Sequence, residues 1–370
     1  MLGVLRFRDE ASRGRRYPEA LHPYRSEFVR DRDRIIHSRA FRRLEAKTQV
    51  FAAGVSDHFR NRLTHTIEVT QVARTAGAAL DLNQDLVEAL ALVHDIGHPP
   101  FAHAGESELN RQMQSFGDRF DHNEHALRIV ESFEQRYARF PGLNLTFEVR
   151  EGIVKHSKDF ELGDFPAFDQ YLPGLRPPLE AQLIDLADEI AYNAADLDDG
   201  IAAQLIGMEE VASLVPAFAE LVEAVQTQFP GATEHEQFQE CLRGLIDMLV
   251  SGLIEGTDDA ARRAGVQSSD DVRAWPDRLA TLTPACATAS AQIKQLLHAR
   301  VYASDTIEQD RFWATRRIAT LFSYFLEDPA RMPQAYIEKA AGNPVHRVVC
   351  DYIAGMTDVF FDRTYTQIFG

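Results

Sequence analysis

Between residues 94 and 106 the sequence reads HDIGHPPFAHAGE, which sets His94 and Asp95 side by side with His98, His103 and Glu106 close behind. Imidazoles and carboxylates at this density are the ligands and proton carriers of a metal-assisted hydrolytic site. Neighbouring residues on an ideal helix point about 100° apart. His94 and Asp95 can therefore reach one cation only near a helix end, which Gly97, Pro99 and Pro100 supply. His98, His103 and Glu106 are expected to follow at helical spacing, and other ligands must come from elsewhere in the chain. His65 in NRLTHTIEV is the first candidate, on one helix face with Arg62 and Val69. Asp188 in LEAQLIDLADEIAYNAADLDD is the second; Asp188, Tyr192 and Asp196 fall four residues apart and share a face. His65, His94, Asp95 and Asp188 would form a mixed nitrogen and oxygen set. Such a set suits octahedral Mn, Mg, Fe, Co or Ni with open positions for water and substrate, and it lacks the thiolates of structural zinc.

Taken singly, each residue has an ordinary reading: a lone helical histidine is more often a core or surface residue than a ligand, and an HD dipeptide arises by chance. The combination argues otherwise. R-x-x-H is followed about thirty residues later by HDxGHxPFxHxxE, and then by DxxxYxxxD on a helix with an apolar stripe.

Helices must carry these residues. Apolar periodicity of the helical kind dominates from Asp31 onward, as in LVEALALVHDI and RRIATLFSYFL, while alternating strand patterns are scarce. The expected fold class is all-α, in one domain over 1–370: an N-terminal arm (1–30), a helical core (31–200) and a helical C-terminal part (201–370). No Gly/Ser/Pro-rich linker divides the chain, and the irregular stretch from about Lys158 to Pro178 reads as a long loop near the site. Hydrophobic residues at 45% and charged residues at 26% are ordinary for a globular protein. The three cysteines, Cys241, Cys286 and Cys350, are too far apart for a CxxC site or a disulfide framework. The opening MLGVLRFRDE gains charge before any apolar run develops, so the expected compartment is the cytoplasm, without export or membrane insertion. A net charge of −17 argues against a general nucleic-acid surface. Residues 1–48 nevertheless hold 13 Lys or Arg against 7 Asp or Glu. Part of that excess is explained by arginines paired with neighbouring acids; the sharper reading turns some of Arg39, Arg42, Arg43 and Lys47 toward a polyanionic ligand.

The chain resembles the HD superfamily of metal-dependent phosphohydrolases, and within it the deoxyguanosinetriphosphate triphosphohydrolase-like family. The resemblance runs almost end to end, through HPYRSEFVRDRDRIIHSRAFRRLEAKTQVF, RLTHTIEVTQVAR, HDIGHPPFAHAGE, FDHNEHALRIV, GLNLTFEVREGIVKHS, LADEIAYNAADLDD and DYIAGMTDVF. Asn61 and Pro99 stand where relatives often carry other residues, and neither is a candidate ligand. The resemblance implies an HD-type helical core and hydrolysis of a dNTP, dGTP first, to deoxynucleoside and intact triphosphate. An alkoxide leaving group needs a proton, and His103 oriented by Glu106 is the pair fitted to supply it; these two correspond to the family's catalytic dyad. His98 and His122 would contact the phosphates or support that dyad, and Arg62 would bind the α-phosphate. An ordinary reading of His122 and His125 is a polar helix start, with Asp121 or Asn123 as the cap. Gln49 aligns with a residue that hydrogen-bonds the sugar 3′-hydroxyl, and Tyr192 and Asp196 with residues beneath the deoxyribose. A homo-oligomer, in the first instance a hexamer, and an allosteric nucleotide or single-stranded DNA are further implications.

Two other classes use the same parts. Another HD phosphohydrolase, a 5′-nucleotidase or a guanosine tetraphosphate hydrolase, would differ in its product. A non-catalytic nucleotide sensor would be expected to have lost a ligand or the acid, and all are present.

Overall fold

A computed structural model describes residues 2–50, 59–340 and 342–370. Among them every regular element is helical and no strand occurs, as expected of an all-α chain. The helices up to the candidate site are α1 (Glu27–Ile36), α2 (Arg39–Arg43), α3 (Arg62–Ala79), α4 (Gln84–Val93), α5 (Ala102–Gln114) and α6 (His122–Arg128). The middle of the chain supplies α7 (Phe147–Val154), α8 (Leu179–Ala202), α9 (Met208–Leu214), α10 (Pro216–Gln228), α11 (Glu234–Ala264), α12 (Ser269–Ala274) and α13 (Pro284–Leu297). The remainder forms α14 (Asp305–Glu327), α15 (Gln334–Ala340), α16 (Val345–Ala354) and α17 (Asp358–Phe369). No described helix is long and apolar enough to cross a membrane.

The chain sorts into two compact units, each drawn from three stretches of sequence. The first comprises Met1–Arg32, His65–Leu92 and Thr146–Ser304; the second comprises Asp33–Thr64, Val93–Leu145 and Asp305–Gly370. Their borders do not coincide with the divisions at 30 and 200 read from the sequence.

In the first unit, α8 packs against α11 and α13. The 31-residue α11 starts at a capping box, in which Thr233 and Glu236 satisfy each other's backbone donors, and stops at Gly265, whose φ of 68° suits glycine. Two glycines let the segment entering α13 ride on α11: a Cβ at Gly256 would sit 2.4 Å from the Thr281 carbonyl, and the Gly252 carbonyl accepts the Thr283 N–H at 3.0 Å. The N-terminal arm is tied down. Asp31, fully buried, accepts from Arg15 and from the Thr146 N–H and hydroxyl, while Glu180 accepts the N–H groups of Phe7 and Asn83. Thus Arg15, with Arg30 on Glu27 and Arg32 on Glu88, spends much of the N-terminal positive charge on acids within this unit.

In the second unit, α5, α14 and α16 pack on one another around Leu109, Met113, Ile318, Phe322, Val349 and Ile353, with Phe361 of α17 closing the same cluster. Each such buried side chain contributes about 1.5–3 kcal/mol of transfer free energy. This core fixes α5, and through it the residues at its start.

Candidate active site

In the second unit, α4 ends at Val93, so His94 and Asp95 lie just past a helix C-terminus, as their adjacency requires. The turn that follows approaches α6 closely. A Cβ on Gly97 would fall 2.0 Å from the His122 carbonyl and 2.6 Å from the Ala126 nitrogen, so only glycine lets the HD turn reach the start of α6. Helical spacing does not extend through His98, which stands in the connection before α5; the helix containing His103 and Glu106 begins only at Ala102. Prolines at 99 and 100 separate His98 from that helix.

His94, Asp95 and His98 are all buried, at 3%, 4% and 5% exposure, so a charge in this turn must be paired. Arg62, at the start of α3, provides the pair: its Nη1 lies 2.6 Å from Asp95 Oδ2. Burial alone would push the Asp95 carboxyl up; Arg62, followed by His98 and His94, outweighs it and holds the group well below the usual carboxylate range. His98 goes the other way. Burial, then Arg62 and His122, bring it down to about 3, so it is a neutral imidazole with Nδ1 2.8 Å from Asp95 Oδ1 and its ring stacked on His122 at 4.0 Å.

Glu106 joins two imidazoles. Its Oε1 accepts the His122 N–H at 3.0 Å and lies 2.7 Å from His122 Nδ1, while Oε2 is 3.7 Å from His103 Nδ1. Burial raises this carboxyl, but nearby His103 and the hydrogen-bonded His122 more than offset it and hold Glu106 below the ordinary range. The His103 side chain is 79% exposed and so accessible from solvent. His98, His103 and Glu106 also present ligand atoms within 4.8 Å of one another. At the α6 start Asp121 caps the helix by accepting the Glu124 N–H, and His122 turns to Glu106. His125 instead lies buried, 3.5 Å from Asp351.

Within the first unit, His65 Nε2 is 2.8 Å from Asp188 Oδ1. A residue not singled out from the sequence stands beside them: His156 Nδ1 lies 2.7 Å from Asp185 Oδ1, its Nε2 3.9 Å from Asp188 Oδ2, and Arg278 binds Asp185. The i, i+3 pair Asp185 and Asp188 was the available signal. Along the same face of α8, Tyr192 is half-buried with Lys294 Nζ 5.8 Å from its ring centroid, and Asp196, 2% exposed, accepts from the Tyr302 hydroxyl. Burial, then Glu189, Asp188 and Asp196, push the Tyr192 phenol up, so it stays protonated.

Two of the basic residues considered for a polyanion are engaged otherwise. Lys47 is buried, its Nζ donating to the His98 carbonyl and to the Ala354 carbonyl at 3.2 Å, and Arg43 donates to the Gly355 carbonyl. Arg39 and Arg42 are exposed. Gln49 is part-buried, and its Oε1 has no hydrogen-bond partner among the described residues.

The donor set of imidazoles and carboxylates, with no thiolate, fits a divalent cation. Residues 62–193 match the family model for the HD domain, and residues 280–367 that for the phosphohydrolase-associated domain. Deoxyguanosinetriphosphate triphosphohydrolase-like proteins are similar to the chain over nearly its full length. The one from Geobacter sulfurreducens is 42% identical over 97% of this chain and 92% of its own. Those from Azoarcus sp. and Ralstonia nicotianae are each 45% identical, covering 98% and 97% of this chain and 94% and 92% of their own.

Proposed function

Because the chain belongs to the deoxyguanosinetriphosphate triphosphohydrolase-like family of HD-domain hydrolases, we propose that it cleaves a deoxynucleoside triphosphate to deoxynucleoside and triphosphate, with dGTP the first candidate. The observation that carries this reading is the His103–Glu106–His122 arrangement, an accessible imidazole beside a carboxylate held ionised by two histidines. A reaction that expels an alkoxide needs such a proton donor; expulsion of pyrophosphate, a far better leaving group, needs it much less.

In the proposed mechanism His65, His94, Asp95 and Asp188 hold one divalent cation, drawn from Mn, Mg, Fe, Co and Ni. Such a cation would polarise the α-phosphoryl group and lower the pKa of a bound water. Arg62 keeps Asp95 ionised and binds the α-phosphate. Neutral His98, stacked on His122, offers a hydrogen bond to the phosphates without adding a charge. His103 passes a proton to the 5′-oxygen, Glu106 orients it, and His122 holds Glu106. Gln49, whose buried Oε1 can accept from a sugar hydroxyl, and Tyr192 with Asp196 form the deoxyribose side of the pocket. One catalytic domain over 1–370, a homo-oligomer, hexameric in the first instance, activation by a nucleotide or single-stranded DNA, and a cytoplasmic location belong to the same reading.

The test is product identity. Purified protein is incubated with each dNTP and Mn²⁺ or Mg²⁺, and the products are separated by anion-exchange chromatography. Deoxynucleoside and triphosphate are expected; orthophosphate or pyrophosphate as the first product would overturn the assignment in favour of another HD phosphohydrolase activity.

A further inference from the structure

The turn that delivers His103 is backbone-strained. Phe101 and Ala102 both have left-handed φ, 61° and 52°, although neither is glycine, and His103 follows directly. Such conformations persist only where surrounding structure over-determines them. No side chain of α5's own caps its start, where Phe101 occupies the position usually taken by Ser, Thr, Asp or Asn. The N–H of Phe101 itself is taken by an acceptor more than 250 residues away in the sequence.

We propose that Asp358, in the first turn of α17, is a positioning residue for the proton donor: its carboxylate holds the Phe101–Ala102 turn in the conformation that aims His103. Asp358 is 5% exposed, and its Oδ1 accepts the Phe101 N–H at 3.1 Å. Its Oδ2 accepts the Thr48 N–H at 2.8 Å, which prevents the carboxylate from rotating away. One turn on, the Phe361 ring meets the Phe101 ring edge-on at 5.0 Å and an interplanar angle of 87°, so the same helix grips both the backbone and the side chain of Phe101. The other end of the turn is held by Lys47, which joins the His98 and Ala354 carbonyls. The segment from Ala354 to Phe361 thus brackets the connection from His98 to His103. Because Asp358 lies outside residues 62–193, where the HD-domain model matches, this role falls to the C-terminal part of the chain.

This inference rests on His103 being the proton donor, and a double-mutant cycle separates the two claims. Asp358→Ala, His103→Ala and the double variant are compared at saturating dGTP, with bound metal and helical content measured alongside. Displacing a catalytic group by about 1 Å costs on the order of 10²-fold, so Asp358→Ala is expected to lower kcat by about 10- to 100-fold with metal content unchanged. In the His103→Ala background it should add nothing, because the group it positions is gone. Amide hydrogen exchange across residues 101–106 should accelerate in Asp358→Ala. If that variant does not fold, the cycle is run with Asp358→Asn, which keeps one oxygen acceptor and should lose less activity. Unchanged kcat in Asp358→Ala, or the same proportional loss with and without His103, overturns the role of Asp358. Wild-type kcat in His103→Ala alone would instead sink the assignment of His103.

Discussion

Replacing Arg62 by methionine tests whether the ion pair beneath the HD dipeptide is a structural necessity. Arg62 and Asp95 have side chains only 3% and 6% exposed, with Nη1 and Oδ2 2.6 Å apart. Removing one partner of such a pair leaves a buried carboxylate uncompensated, at a cost of about 3–5 kcal/mol. His98 and His94 also favour the ionised form of Asp95, so the lower end applies, about 3 kcal/mol. For a chain of 370 residues the melting entropy is roughly 0.8 kcal/mol/K, which converts the loss to a Tm lower by about 4 °C. The pH dependence follows from the direction of the shift. The folded Asp95 carboxyl lies below its unfolded value, near 3.9, so the stability it confers is fully present above about pH 4 and is lost as pH falls through the folded pKa. Without Arg62 the buried carboxyl takes up a proton more readily, which relieves the variant as the pH drops. The Tm gap between wild type and Arg62→Met should therefore be widest at pH 7 and close in acid. Calorimetry on EDTA-treated protein from pH 7 to pH 3 measures it. A gap below about 1 °C at pH 7, or one that stays constant into acid, would refute the reasoning.

Lys47 carries a pH signature of the same sign in a more alkaline window. Burial, followed by Arg43 and Arg62, brings its ammonium down to about 7, so between that value and the unfolded value near 10.4 the unfolded chain holds the extra proton and wild-type stability rises with pH. Lys47→Met should flatten this rise in a Tm profile from pH 6.5 to 10; an identical slope would show that Lys47 does not titrate in that window. Gly105→Ala places a Cβ 1.9 Å from the Pro100 carbonyl, a backbone clash costing about 1–3 kcal/mol, and should lower dGTP turnover at least tenfold by moving the α5 start. Wild-type Tm and kcat would mean that the turn is softer than argued. Tyr192→Ala should narrow a preference for dGTP over GTP that a closed sugar pocket sets at about tenfold or more; equal kcat/KM for the two in wild type would remove the pocket assignment and the deoxynucleotide reading with it.

Local regularities were legible from the residues alone. The helical period placed Asp188, Tyr192 and Asp196 on one face of α8, Pro99 and Pro100 marked the break that leaves His94 and Asp95 beyond α4, and His103 and Glu106 three apart met on α5, because these relations depend only on the 3.6-residue repeat and its breakers. The pairings that set protonation and aim were not legible. Glu106 lies closer to His122, across a turn, than to its helical neighbour His103; His156 turns to Asp185; and Lys47 serves two carbonyls. Each of these joins groups that chain spacing leaves independent, and it exists only because packing removes water and forces every buried charge to find a partner. The sequence by itself determined which chemical groups the chain would bring and on which helix faces they would stand. Only the tertiary structure decided that a carboxylate at position 358 would cap the strained turn before His103, since that contact is made by the closure of the α5, α14, α16 and α17 core and by nothing local to either segment.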